Sequence, residues 1–226
     1  MRLKTKIAAI VILAAALHGA EAKNEYGIYK IPTPQTTYSS KEKRESVCKS
    51  FGEGYGVPGI EELFNAPDEL KEKSEKSLYA SSTANLQNGE EIYYHSFENK
   101  DVNVVAQNES LYLVCFKSSG KAKAKSLVWS KGERNRMEYK EAKAFCEAKG
   151  ERLPSANELF SLAFEKLKGE KSFALKYGTT HPKYYWSADA NDDFSNTAIV
   201  VGFMRASVAS SAKDNKSFVR CVKDGK

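Results

Sequence analysis

Four cysteines, three histidines and one run of side-chain oxygens are the residues of this 226-residue chain whose types could do chemistry. The run is Asp189, Asn191, Asp192 and Asp193, close enough in sequence to ligate calcium, a hard cation that takes oxygen donors. Against that stands a polar turn, since Asn and Asp favour turns through hydrogen bonds to their own backbone. The histidines His18, His95 and His181 share no element. Neither a His-based metal site nor a His-dependent triad can be assembled from them, and His95 and His181 read as surface residues. Cys48, Cys115, Cys146 and Cys221 include no Cys-x-x-Cys pair, so a redox-active dithiol has little support and structural disulfides are expected. Glu62 and Glu158 occupy matching places, but capping and helix-dipole duty account for both without catalysis. The expectation is a non-enzyme with no cofactor.

The elements that hold these residues follow from a stretch that the chain carries twice. Ala142 to Leu162 reads as a helix with Cys146, a stop at Gly150, a Leu153-Pro154 crossing, and a second helix with Ser155 as N-cap and Glu158 three residues on. Ser46 to Phe64 is its earlier copy, with Cys48, Gly52, Pro58 and Glu62-Leu63-Phe64 at the corresponding positions. The copies realign at Tyr79 and Tyr185 and stay in step to Cys115 and Cys221. Copy two carries an insertion around Lys168 to His181, and indels belong in surface loops. Strands are expected at Tyr26–Ile31, Ile92–Phe97, Asn103–Ala106, Leu111–Phe116, Ser126–Ser130, Thr197–Met204 and Ser217–Val222, with an irregular middle in each copy. The pattern is α+β, not the alternation of a parallel α/β sheet.

The N-terminus reads as a signal peptide. Arg2, Lys4 and Lys6 precede an apolar run from Ile7 to Leu17 that is short for a membrane span, and Ala20-Glu21-Ala22 fits a cleavage site before Lys23. The domains expected are therefore 1–22 as signal peptide, 23–118 as a first, divergent domain, 119–125 as a basic linker with Lys121, Lys123 and Lys125, and 126–226 as a second domain. A net charge of +6, which falls when the N-terminal basic residues go, is a solubility statement and no nucleic-acid signature. Four cysteines allow three pairings. The repeat selects Cys48–Cys115 and Cys146–Cys221, because an independent domain must satisfy its own pair. Each would close a loop of roughly seventy residues, worth about 4 kcal/mol in the chain-entropy model.

One set of residues resembles a known family. Tyr139, Ala142 and Cys146, then Gly150-x-Arg152-Leu153-Pro154-Ser155-x-x-Glu158-Leu159, Tyr185-Trp186-Ser187, and Phe218-Val219-Arg220-Cys221-Val222 look like a bacterial C-type-lectin-like domain. The resemblance is to the branch related to formylglycine-generating enzyme. Copy two matches along nearly its whole length. Copy one departs from it, with Ala80 at the place of Trp186 and Val114 at that of Arg220. The resemblance implies two tandem C-type-lectin-like domains, each with two helices, a small twisted antiparallel sheet and one helix-to-last-strand disulfide. The enzymes of that branch use reactive cysteines, and here all four are assigned to bridges. The calcium-sugar motifs of such lectins, Glu-Pro-Asn or Gln-Pro-Asp with Trp-Asn-Asp, are missing. Trp186 reads as a core anchor, and Arg220 as paired with a carboxylate.

The functional expectation is an exported, non-enzymatic binding or scaffold protein of the bacterial cell envelope, periplasmic, secreted or on the cell surface. It would recognise a protein partner through the loop stretch of Tyr177, His181, Lys183, Tyr184, Asp189, Asp192 and Asp193, a mix of aromatic and charged residues suited to recognition. A glycan-binding, adhesin-like module is the alternative, and an enzyme related to formylglycine-generating enzyme a weaker one. Nucleic acid and an integral span after signal cleavage are not expected.

Overall fold

The computed structural model describes residues 21–72, 78–97, 101–120, 126–130, 135–167, 183–190 and 195–225. The expected signal peptide up to Ala20, most of the linker, and the expected loop residues Tyr177, His181, Asn191, Asp192 and Asp193 lie outside the described residues.

The elements run β1 (Glu21–Lys23), β2 (Gly27–Lys30), α1 (Lys41–Lys49), α2 (Ile60–Phe64), α3 (Asp68–Glu72), β3 (Leu78–Ala84), β4 (Glu91–Ser96), β5 (Val102–Ala106) and β6 (Cys115–Ser118) in the first half. The second half holds β7 (Leu127–Trp129), β8 (Arg136–Met137), α4 (Tyr139–Glu147), α5 (Ala156–Leu167), β9 (Tyr184–Ala190), β10 (Thr197–Gly202), β11 (Ser207–Ala212), β12 (Ser217–Phe218) and β13 (Val222–Asp224). Helix starts are conventional. Ser40 caps α1 by accepting from the Lys43 N–H, and the Glu141 carboxylate reaches back to the Glu138 N–H at the start of α4.

The expected architecture, two helix-plus-small-sheet domains with a disulfide each, is corrected by the sheet. Among the described residues strand outweighs helix, at 38% against 23%. Eight strands form one sheet in the order β3-β4-β5-β11-β10-β9-β12-β8, flanked by a three-stranded β1-β2-β6 sheet and a two-stranded β13-β7 pair. The join is β5 against β11, antiparallel, with Val102 opposite Val208. A small sheet in each half would leave a strand edge with unpaired backbone groups, and pairing these two edges removes both. The main core also crosses the join. Ile60, Tyr93 and Val102 from the first half pack with Phe160, Phe164, Tyr185, Ile199, Val201 and Val208 from the second, and Phe64 stacks on Phe160 at 5.9 Å.

Part of each supposedly irregular middle is strand. β3 and β9 show the same order of exposed and buried positions, with three buried in a row, and β9 lies inside the sheet, with Trp186 and Ser187 fully buried. Their small polar residues hide the strand signal, because Ser and Ala are weak β formers that here fit between a sheet and a helix. Strand β11 likewise falls in a Ser/Ala run without apolar alternation. The disulfides are Cys48–Cys115 and Cys146–Cys221, and no cysteine is free. Among the described residues no helix is long and apolar enough to cross a membrane.

Candidate functional site

The residues that the sequence marks for chemistry largely hold backbone in place. Arg152 grips Glu158 with two parallel hydrogen bonds, 2.7 and 2.8 Å, and also reaches Asp224 at 2.9 Å. Glu158 in turn accepts from the Ser155 N–H at 2.7 Å, while Ser155 Oγ accepts from the Glu158 N–H at 3.1 Å, a complete capping box. Burial opposes ionisation of Glu158, but Arg152 and the Ser155 N–H outweigh it and hold the carboxyl below its usual value. Asp189 accepts from the Ala156 N–H at 2.6 Å and caps α5 from the neighbouring strand. Among the described residues no cluster of three or more His, Cys, Asp or Glu could hold a metal ion.

One other expectation is corrected. His95 is not a surface residue: it is 2% exposed in β4, edge-on to Phe64 and Phe97. Its strand faces the helix layer, and an aromatic cage takes the imidazole. Arg220 lies wholly buried in the link between β12 and β13, where loss of water pushes its guanidinium below the ordinary value. Trp186 is an anchor, with Nε1 donating to the Met137 carbonyl at 2.8 Å and its ring edge-on to Tyr139.

Of the partner-surface residues, Lys183 and Tyr184 are exposed at the start of β9. Tyr184 lies over Gly202, where an added Cβ would come within 3.0 Å of the ring. Gly202 leads into the turn of Met204 and Arg205, and the Gln87 side chain donates to the Met204 carbonyl at 2.9 Å. Leu86, Tyr184 and Met204 are 48%, 45% and 56% exposed, so one end of the sheet carries large apolar side chains from both halves. Sequence reasoning missed Leu86 and Met204, because only the joined sheet unites their turns.

A groove opens in the first half between α1, β3 and β4. Lys41, Arg44 and Glu45 line it from the helix, Ser81, Ser82 and Ala84 from the strand. Arg44 is 3% exposed. Its Nε donates to the Tyr38 carbonyl at 2.9 Å, and Nη2 to the carbonyls of Glu109 at 2.6 Å and Gln107 at 3.3 Å. Nη1 has no partner among the described residues, and burial lowers the guanidinium pKa with no carboxylate opposing it. Nothing in the sequence motif pointed here, since the groove lies where copy one departs from the pattern.

Residues 121–223, a little under half of the chain, match the family model of the Lcl C-terminal domain. No curated protein matches the chain.

Proposed function

We propose that this chain is an exported, non-catalytic recognition protein of the bacterial cell envelope, and that it binds a protein partner at the end of the large sheet. The observation that carries this reading is the exposed set of Leu86, Tyr184 and Met204 beside Lys183 and Arg205. Aromatic residues, Met and Arg are the types enriched where proteins bind proteins, and such residues stay exposed in a folded chain at a cost that a partner offsets. Export is supported by two disulfides, which persist in oxidising compartments. The absence of catalysis is supported by the occupation of all four cysteines, and of Glu158 and Asp189, in structural bonds.

The test is crosslinking in the producing cells followed by capture with wild type, Leu86→Glu, Met204→Glu and, as a control at an exposed residue elsewhere, Val128→Glu. The expected result is one protein retained by wild type and V128E and lost from the other two. Equal capture by all four overturns the reading. The family match favours a second reading, in which the lectin-like half binds a glycan. Glycan capture abolished by changes in residues 126–226 and unaffected by L86E would support it.

A further inference from the structure

The groove of the first half lies outside residues 121–223, and its chemistry is specific. A buried cation is costly unless an anion or several acceptors compensate it. Arg44 lines the groove, and its three carbonyl partners all fall on Nε and Nη2, which leaves the two N–H donors of Nη1 for a further acceptor. Lys41 adds a second positive charge at the N-terminal end of a nine-residue helix, where the backbone dipole also favours negative charge. The opposite wall adds hydroxyls. Ser81 is 2% exposed, and its Oγ accepts from the Thr83 N–H without donating to any described residue. The corresponding Ser187 in the second half does donate, to the Ile199 carbonyl at 3.0 Å. The one acid on the rim, Glu45, faces Lys49 at 3.7 Å. Val57, Ala84 and Ile92 give the remaining lining an apolar surface.

We propose that this groove binds a small ligand through a carboxylate, held between Arg44 Nη1, Lys41 and the hydroxyls of Ser81 and Ser82, with the ligand's apolar part against Val57, Ala84 and Ile92. A carboxylate matches the set because its two oxygens can accept from a guanidinium edge and a hydroxyl together. The carboxylate can come from an acidic sugar or from the C-terminus of a peptide.

The full chain is titrated with glucuronate, N-acetylalanine, the methyl ester of each, and sodium sulfate at matched ionic strength, read by amide chemical-shift changes at Ser81 and Ser82. At least one free acid is expected to bind, with its ester about tenfold weaker or more, as for loss of a charge-assisted hydrogen-bonded partner. Saturation by glucuronate alone assigns a sugar source, and saturation by N-acetylalanine alone a peptide source. Arg44 also braces three carbonyls, so the variants are Lys41→Gln, which removes charge at the rim, and Ala84→Leu, which fills the groove. Each should weaken binding severalfold or more with the melting temperature unchanged. The proposal is overturned if the esters bind as well as the acids, if sulfate binds as tightly as either acid, if neither acid binds, or if binding survives both variants.

Discussion

The corner between α1 and β3 in the first half and the corner between α4 and β9 in the second are built on the same backbone and filled in opposite ways. In each, the carbonyl of the proline before the second helix accepts from the strand, Pro58 from Ser82 at 2.8 Å and Pro154 from Ala188 at 2.7 Å. In each, the side chain one residue before the strand's end caps that helix from the side: Thr83 Oγ1 for Ile60, the Asp189 carboxylate for Ala156. The interiors then diverge. The second corner holds Trp186 against Tyr139 and Ala142 and is closed, with the Tyr139 hydroxyl donating to the Ala188 carbonyl at 2.9 Å. The first has Ala80 and Arg44 in the corresponding places, and there the groove opens. A bulky anchor traded for a buried cation converts a packed corner into one that can take a ligand. The corner that keeps the tryptophan is filled, and the corner that has Ala80 in its place has the room for chemistry.

The largest effect should come from cutting between the halves. The core around Phe160 takes residues from both, and β5 and β11 complete each other's edge. Calorimetry of the whole chain should give one cooperative transition, and residues 126–226 alone should bind hydrophobic dye and associate, having lost the cover on β11 and Phe160. Two resolved transitions would mean that the halves remain separate folding units despite the shared sheet.

Next is Trp186→Ala, which gives the second corner the small residue of the first. Loss of a fully buried Trp costs about 3–5 kcal/mol, here with the hydrogen bond to the Met137 carbonyl as well. Denaturant melts measure it. If the cost falls below about 1 kcal/mol, the second corner is looser than its burial indicates and the contrast between the corners fails.

A smaller, pH-dependent difference separates the helix starts. Glu158 is held by Arg152, whereas Gly56 stands at the place of Arg152 in the first half, so Glu62 has no such partner there. Folding lowers the pKa of Glu158. Stability from its ionised form is therefore full at neutral pH, and is lost as pH falls through the depressed folded value. Glu158→Gln should cost about 1–2 kcal/mol at pH 7, moderated by the partial exposure of Arg152, and the gap to wild type should close in acid. Glu62→Gln should cost under about 0.5 kcal/mol at either pH. A pH-independent deficit in E158Q would show that packing, not the ion pair, carries the effect.

Sequence reasoning read the cysteine pairs and the capping box of α5 because both rest on local spacing or on the matching of two copies. It missed β3, β9 and β11, whose Ser and Ala residues carry no alternation, and it could not see the join, because pairing of β5 with β11 is a long-range choice between two edges. It placed His95 on the surface because a lone imidazole in a strand gives no sign of the aromatic cage formed by Phe64 and Phe97. The groove was illegible for a related reason. Ala80 in place of Trp186 looks like loss when only the motif is compared, and Arg44 acquires meaning only when Tyr38, Gln107 and Glu109 come round to meet it.

The smallest effect concerns the flanking sheets. In the second half β13 and β7 form a two-stranded pair, while the corresponding β6 and β2 gain a third strand, β1, with Glu21 opposite Lys30 and Ala22 opposite Tyr29. Cleavage before Lys23 would remove most of that strand. It would take with it the burial of Ala22 and the 3.1 Å ion pair of Glu21 with Lys30, which is half-exposed on the Glu21 side. One methyl group and a surface ion pair together amount to about 1 kcal/mol or less. The second half shows that a two-stranded pair suffices at the equivalent place, so a chain beginning at Lys23 should fold and melt within a few degrees of one beginning at Glu21. Mass spectrometry of the protein from its producing cells fixes the true start, and paired melts of the two forms measure the difference. A loss of several kcal/mol in the shorter form would make β1 an integral strand of the first half and move the expected cleavage site upstream of Glu21.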